Sequence, residues 1–309
     1  LIDLAYDLPI SGFAIQPFAS IHSIPANGRG GFMSSAFSEF RQSGRADTVP
    51  DVATAAALPK RQSEQSSEFI DLKFAWHDQP QMLRVIERRS HDAAFAYIVT
   101  PNVDHVVRIQ YARSDLWPAY RNAWITLCDS RILGRLAERA GLSLPIIPGS
   151  DLTVALLTDI VRTDDRIAII GGDISMVEAL QRRLCFSNLV HHNPPMGFIH
   201  NPDATQAAIS FVIEARARYV FIAVGSPQQE ILAYRIGQTG AATGIGLCVG
   251  ASLLFLTEEQ TRAPKIWQQL SLEWMFRLLS DPKRLWRRYL IDGPLIFGLF
   301  RQWQRRRSA

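Results

Sequence analysis

From about Phe95 the chain alternates two hydrophobic periods. Short continuous apolar runs end abruptly in Thr, Asp or Gly, and each is followed by a stretch with apolar residues every three or four positions. The runs Phe95 to Thr100, Trp124 to Asp129, Arg166 to Gly171, Tyr219 to Gly225 and Gly244 to Gly250 read as strands buried on both faces. Helical spacing follows at about 103–113, 131–141, 151–162, 174–184, 203–218 and 228–239. This alternation predicts an α/β fold, Rossmann-like, with a mainly parallel sheet flanked by helices.

The flanks differ from this core. Residues 1–66 carry short apolar patches broken by Gly30-Gly31, Ser34-Ser35 and a Ser/Gln/Glu run at 63–67, and read as a flexible N-terminal extension. Phe69 to Phe74 has strand character and Met82 to Glu87 helical spacing, so the core is expected over 67–260. Residues 261–309 form a C-terminal basic amphipathic helical appendage in which Trp267, Trp274, Trp286 and Trp303 stand among Arg and Leu. Leu290 to Phe300 is interrupted by Asp292-Gly293-Pro294, which suits helices lying in a membrane interface, or a helical pair packed on the sheet with a solvated basic end.

Charge sharpens the picture of this tail. The formal net charge is only +4, but Arg284, Arg287, Arg288, Arg301, Arg305, Arg306 and Arg307 face only Asp281 and Asp292. Such an excess asks for an anionic partner: phospholipid, phosphate groups or nucleic acid. Because these arginines are interleaved with Leu, Ile and Phe, nucleic acid is the least suited and an anionic membrane surface the best. No stretch reaches the roughly 20 apolar residues needed to cross a bilayer, and no secretory signal is expected. Cys128, Cys185 and Cys248 lie far apart in apolar runs, which argues for three buried thiols rather than a disulfide framework or a zinc site.

The candidate chemistry gathers where strands end, since ligands of open α/β sheets bind beyond the carboxyl ends of the strands. Gly225-Ser226-Pro227 closes a strand, and Gln228, Gln229 and Glu230 open the next helix. Thr100-Pro101-Asn102 follows another strand, where either polar side chain can cap a helix or meet a ligand. Asp129 is a carboxylate at a strand end, suited to a general base; if Ser130 caps the next helix, Asp129 is left for chemistry. Gly149 and Asp151 belong to a turn with a helix cap, and Gly171, Gly172 and Asp173 let backbone amides approach a nucleotide closely. There is no G-x-G-x-x-G or G-x-x-x-x-G-K-S/T, so dinucleotide and P-loop readings lack their motif. The stretch His191 to Gly197 reads as a loop, not a metal site, and no D-x-D pair is present to hold a divalent cation. A departing diphosphate would then need arginines, of which Arg262, Arg284, Arg287 and Arg288 are the supply.

Taken in order, Thr100-Pro101-Asn102, Asp129, Gly149 to Asp151, Gly171-Gly172, Val224 to Glu230, Val249-Gly250, Arg262-Ala263-Pro264 and Leu272 to Arg284 resemble the WecG/TagA/CpsF family of bacterial glycosyltransferases over roughly residues 70–290. The resemblance implies an inverting, metal-independent enzyme without a cofactor. It would move N-acetylmannosamine, its uronic acid or glucose from a UDP-sugar donor to a lipid-linked saccharide acceptor, of the undecaprenyl-diphosphate type. Such an enzyme works on the cytoplasmic face of the plasma membrane as a peripheral protein. On this resemblance Asp129 falls on the general base, Thr100 and Asn102 on an active-site Thr-x-Asn element, Gln229 and Glu230 on a pair near the nucleotide sugar, and Arg284, Arg287 and Arg288 on the appendage arginines. Members usually carry Asp-Gly where Asp129-Ser130 stands, and often Asp-Phe where Leu254-Phe255 stands. Two other classes compete: a non-catalytic membrane-peripheral α/β module, and a nicotinamide-dependent oxidoreductase that lacks its glycine fingerprint. A homo-oligomer stays open, because an apolar tail can bury itself against a second copy as readily as against lipid.

Overall fold

The computed structural model of the protein describes residues 66–257, 267 and 273–308. Residues 1–65 of the proposed N-terminal extension and Arg262 lie outside the described residues, whereas its last residue, Ser66, opens the first strand. The fold begins with a hairpin, β1 (Ser66–Phe69) and β2 (Leu72–Ala75), where a single strand was expected. Its two-residue turn places Ile70 and Asp71 at φ 47° and 62°. That left-handed pair fits the twist of a tight hairpin, yet neither residue is the Gly or Asn that announces one.

After α1 (Gln79–Glu87) the alternating part runs β3 (Ala96–Val99), α2 (Val103–Tyr111), α3 (Trp117–Arg121), β4 (Ile125–Thr126), α4 (Arg131–Arg139) and α5 (Gly149–Ala155). It continues through β5 (Ile167–Ile170), α6 (Ile174–Leu184), β6 (Leu189–His192), α7 (Pro202–Ala215), β7 (Tyr219–Ile222), α8 (Gln228–Gln238) and β8 (Ile245–Cys248). The six strands β3 to β8 form one parallel sheet of order β4-β3-β8-β7-β5-β6. Every carboxyl end therefore opens on the same edge, which is what brings the strand-end residues together.

Side chains alternate between two cores, as a sheet covered on both faces requires. Ala96, Ile98, Ile167, Ile169, Tyr219 and Phe221 pack with α1, α5 and α6. Tyr97, Val99, Ala168, Ile170, Val220 and Ile222 pack with α2, α4, α7 and α8. The second half of β6, His191 and His192, was expected to be loop. β6 is one of the sheet's two edge strands, paired only with β5, and its four residues are all half-buried. Cys128 and Cys248 are buried as expected, and burial pushes the Cys128 thiol up to about 12. Cys185 is a correction: it ends α6 in a left-handed conformation and is exposed.

Among the described residues the appendage then contains α9 (Glu273–Ser280), α10 (Pro282–Trp286) and α11 (Leu295–Ser308), with a wide-turn helical segment Arg287–Asp292 before the last. One stripe of α11, namely Ile296, Leu299, Phe300 and Trp303, is buried in the core beside the hairpin. Phe69 meets the Trp303 ring edge-on at 5.2 Å, and Arg306 pairs with Asp71 at 3.0 Å. Packing on the core thus accounts for this part of the tail's apolar residues. Leu279, Trp286, Leu290, Ile291, Leu295 and Phe297 remain exposed. Among the described residues no helix is long and apolar enough to cross a membrane.

Candidate active site

Three chain segments converge at one end of the strand-end edge. The Leu127 amide donates to the Val99 carbonyl at 2.9 Å and the Asp129 amide to the Pro101 carbonyl at 3.2 Å, so β4 delivers Asp129 beside Thr100-Pro101. On its other side the Ile147 amide donates to the Cys128 carbonyl at 2.9 Å, which carries Pro148-Gly149 into the same place. A Cβ on Gly149 would lie 2.8 Å from Thr100 Oγ1, closer than carbon and oxygen tolerate, so the absent side chain is what lets α5 begin against Thr100. Asp151 sits in the first turn of α5 and does not cap it; the cap position is Pro148, with no side-chain bond.

The polar residues flanking Asp129 have separable duties. Ser130 Oγ accepts from the Leu133 amide at 3.3 Å and caps α4, so Asp129 is not needed as the cap. Ser130 does this from extended backbone, φ −152°, so the position asks for no glycine. Asn102, not Thr100, caps α2: its Oδ1 accepts from the Asp104 and His105 amides at 3.1 and 3.4 Å. His105 Nδ1 accepts from the Asn102 amide at 3.3 Å and completes a reciprocal cap. That bond needs an unprotonated nitrogen. Burial, and next the Arg108 charge, lower the His105 pKa to about 3, so the acceptor is kept.

At the other end, β5 stops at Gly171 and Gly172, with φ of 90° and 75°. A Cβ on Gly171 would stand 3.0 Å from the Ala223 backbone, so the turn lies flat against β7. His191 Nε2 is 3.2 Å from both the Gly171 and Gly172 carbonyls and, as the donor to them, fixes the turn from β6. The sequence reading left His191 in a loop. Asp173 Oδ1 accepts from the Met176 amide at 2.9 Å and from Ser175 Oγ at 2.8 Å, and these bonds lower its pKa. It is the cap of α6 and stands exposed at the rim.

Between these ends lies the turn after β7. Gln228, half-buried, is the member of the Gln-Gln-Glu trio that reaches the surface. Gln229 and Glu230 were expected at the crevice, but they turn beneath it and are 5% and 1% exposed. Gln229 Oε1 accepts from the Gly250 amide at 2.8 Å, and its Nε2 donates to Glu230 Oε1 at 2.9 Å. The pair therefore ties α8 to the end of β8 and forms the floor of the site. Burial raises the Glu230 pKa against the bond from Gln229.

A buried charge cluster missed by the sequence reading runs from this turn to the appendage. Arg108 Nη1 donates to Ser226 Oγ at 3.2 Å, and its Nη2 pairs with Asp104 one helical turn earlier. Arg288 Nη2 reaches the same Asp104 Oδ2 at 3.4 Å. Burial works to raise the Asp104 carboxyl, but Arg288 and Arg108 overcome it and hold it below the ordinary 3.8. The available signal was an acid and a base four residues apart on an otherwise apolar helix face. Arg287 is half-buried in the same segment, whereas Arg284 belongs to α10 with its side chain outside the described residues.

Among the described residues no three His, Cys, Asp or Glu side chains are grouped to hold a metal ion. The site has instead one half-exposed strand-end carboxylate, two helix starts with amides facing the same edge, and an arginine brought in from the appendage. A model of the glycosyl transferase WecG/TagA/CpsF family matches residues 68–309, the sheet and the appendage together, and the chain belongs to that family.

Proposed function

We propose that the protein is an inverting, metal-independent glycosyltransferase of surface-polysaccharide synthesis. It moves N-acetylmannosamine, its uronic acid or glucose from a UDP-sugar to an undecaprenyl-diphosphate-linked saccharide. Membership of the family supports sugar transfer and a donor with a lipid-linked acceptor in general. The observation that carries the mechanism is Asp129: it follows β4 on a stretch whose backbone bonds to the Thr100 and Gly149 segments, and Ser130 does the capping.

In this reading Asp129 accepts the proton of an acceptor hydroxyl. The oxygen attacks the anomeric carbon in line, the bond to UDP breaks, and UDP leaves with the electron pair. Configuration inverts because attack and departure lie on opposite faces. Thr100 and the side-chain Nδ2 of Asn102, which the cap does not use, hold the sugar. Gly171, Gly172, Asp173, Gly225, Pro227, Gln228 and Gly250 line the donor side, over a floor made by Gln229 and Glu230. Charge on the leaving diphosphate is met by Arg288 with Arg262, Arg284 and Arg287, and by the amides that open α6 and α8. UDP-sugar is the donor substrate, and the chemistry requires no separate cofactor.

The exposed residues Leu279, Trp286, Leu290, Ile291, Leu295 and Phe297 lie on the stretch that carries Arg288. They form the surface that rests on the cytoplasmic face of the plasma membrane, beside the lipid acceptor, with the α11 arginines near anionic headgroups. Placing the arginines from the membrane side completes the site only where the acceptor is, and keeps water from the donor.

The test is UDP release from a panel of UDP-sugars, with and without an undecaprenyl-diphosphate-linked acceptor, in EDTA. Acceptor-dependent, EDTA-resistant release that Asp129→Asn abolishes is expected. No release with any donor would favour a non-catalytic membrane-peripheral module.

A further inference from the structure

We infer that Asp104 is the positioning residue that seats the appendage's Arg288 at the active site and locks that seat to the turn after β7. The inference rests on the glycosyltransferase reading only for its consequence in catalysis; the seat itself is a matter of geometry. Asp104 is 6% exposed and sits in the first turn of α2, whose cap is the site residue Asn102. Its Oδ2 alone takes both arginines: Arg108 from its own helix, and Arg288 at 3.4 Å from the segment Arg287–Asp292. Arg108 in turn donates to Ser226, next to Gly225 and Pro227. One carboxylate thus joins α2, the β7 turn and the appendage.

Burying the Asp104 carboxylate and the Arg108 guanidinium is costly unless each charge has a partner, and the half-buried Arg288 adds a second partner for the carboxylate. Arg288 Nε is buried with no hydrogen-bond partner. The Arg288 side chain is nevertheless 32% exposed and meets Asp104 through Nη2, so the part of the guanidinium that Asp104 does not hold is open to an incoming anion. The diphosphate of a nucleotide sugar or of a lipid carrier has the matching chemistry. Asp104 touches neither; it acts through Arg288 by fixing where that donor stands.

The seat is tested on the full chain without substrate, by amide hydrogen exchange over residues 287–293 in wild type, Asp104→Asn, Arg288→Ala and the double variant. Each single variant should raise exchange there by about threefold or more, and the double no further, since both remove one contact. A smaller rise in either folded variant, or factors that multiply in the double, overturns the seat. If Asp104→Asn does not fold, Arg288→Ala decides, with Arg288→Lys expected to restore protection. Turnover is then measured on the donor that releases UDP. Asp104→Asn and Arg288→Ala should lower kcat by one common factor, about tenfold or more, with donor KM little changed. Full kcat in Asp104→Asn overturns the positioning role. A wild type that releases no UDP counts against the glycosyltransferase reading and leaves the exchange result standing.

Discussion

Asp129 and Glu230 are two carboxyl groups at one edge of one sheet, and their surroundings give them opposite duties. Asp129 lies three residues beyond β4, is half-exposed, and stands next to Ser130, which caps α4. Glu230 lies in the first turn of α8, is 1% exposed, and accepts from Gln229, which itself accepts from the Gly250 amide. In the proposed reaction the first receives a proton from the acceptor. The second holds the floor under it, and burial raises its pKa. Position at the strand end is therefore not enough to mark a reacting group; the two side chains differ in how far they are buried and in what they hold together.

The comparison breaks most directly at Asp129. Asp129→Asn should lower kcat by about a thousandfold, within the range of a lost general base, with UDP protection against thermal unfolding unchanged. Glu230→Gln should retain turnover within about tenfold. If the two variants swap these outcomes, the assignment of base and floor is reversed.

A smaller effect tests the close approach on the Asp129 side. Gly149→Ala puts a methyl 2.8 Å from Thr100 Oγ1 and should cost on the order of a hundredfold in kcat. Rescue by the second change Thr100→Ser would point to the methyl of Thr100 instead of its hydroxyl. Equal activity in Gly149→Ala would remove Thr100 from the site.

On the same side, His105 makes stability depend on pH. It faces Arg108, Asp104 and Arg288 and titrates near 3 in the folded state against 6.5 unfolded. Between those values the unfolded chain binds a proton that the folded one does not. Stability is therefore full above about 6.5 and falls as pH drops toward 3, by about 2 kcal/mol between pH 7 and pH 5. Asp104, with its lowered pKa, adds a loss in the same direction at still lower pH. Urea unfolding of wild type and His105→Asn at both pH values checks this: the slope should flatten in the variant.

The smallest effect belongs to the floor. Gln229→Ala removes the acceptor of the buried Gly250 amide and should destabilise by about 1 to 3 kcal/mol in urea unfolding. Its effect on kcat should follow that loss of order and stay well below the effect of Asp129→Asn.

Legibility in the sequence followed burial. β3, β5, β7 and β8 are fully buried runs between helices, and an unbroken apolar stretch with a sharp end leaves little else to read. β6 was lost because an edge strand needs apolar residues on fewer sides, and Leu189–His192 ends in two histidines. The hairpin was lost because Ile70 and Asp71 carry its turn without the usual residue types. At the candidate site, the placement of Thr100, Asn102, Asp129 and Gly149 at the carboxyl edge of the sheet was legible from where the apolar runs stop. Asp104, Arg108 and His191 were not, since an ion pair on a helix and a histidine in a polar stretch most often face water.

The sequence by itself determined the α/β alternation, the core strands, the basic tail and the ordered motifs of a glycosyltransferase family, because each is written in spacing along the chain. Only the tertiary structure decided which strand-end residues face outward. It turned Gln229 and Glu230 inward, gave the cap of α4 to Ser130, and split the tail between a stripe buried on the hairpin and an exposed apolar surface. Those choices depend on partners distant in the sequence. Gly250 meets Gln229, and Arg288 meets Asp104, only once the sheet order has brought them together.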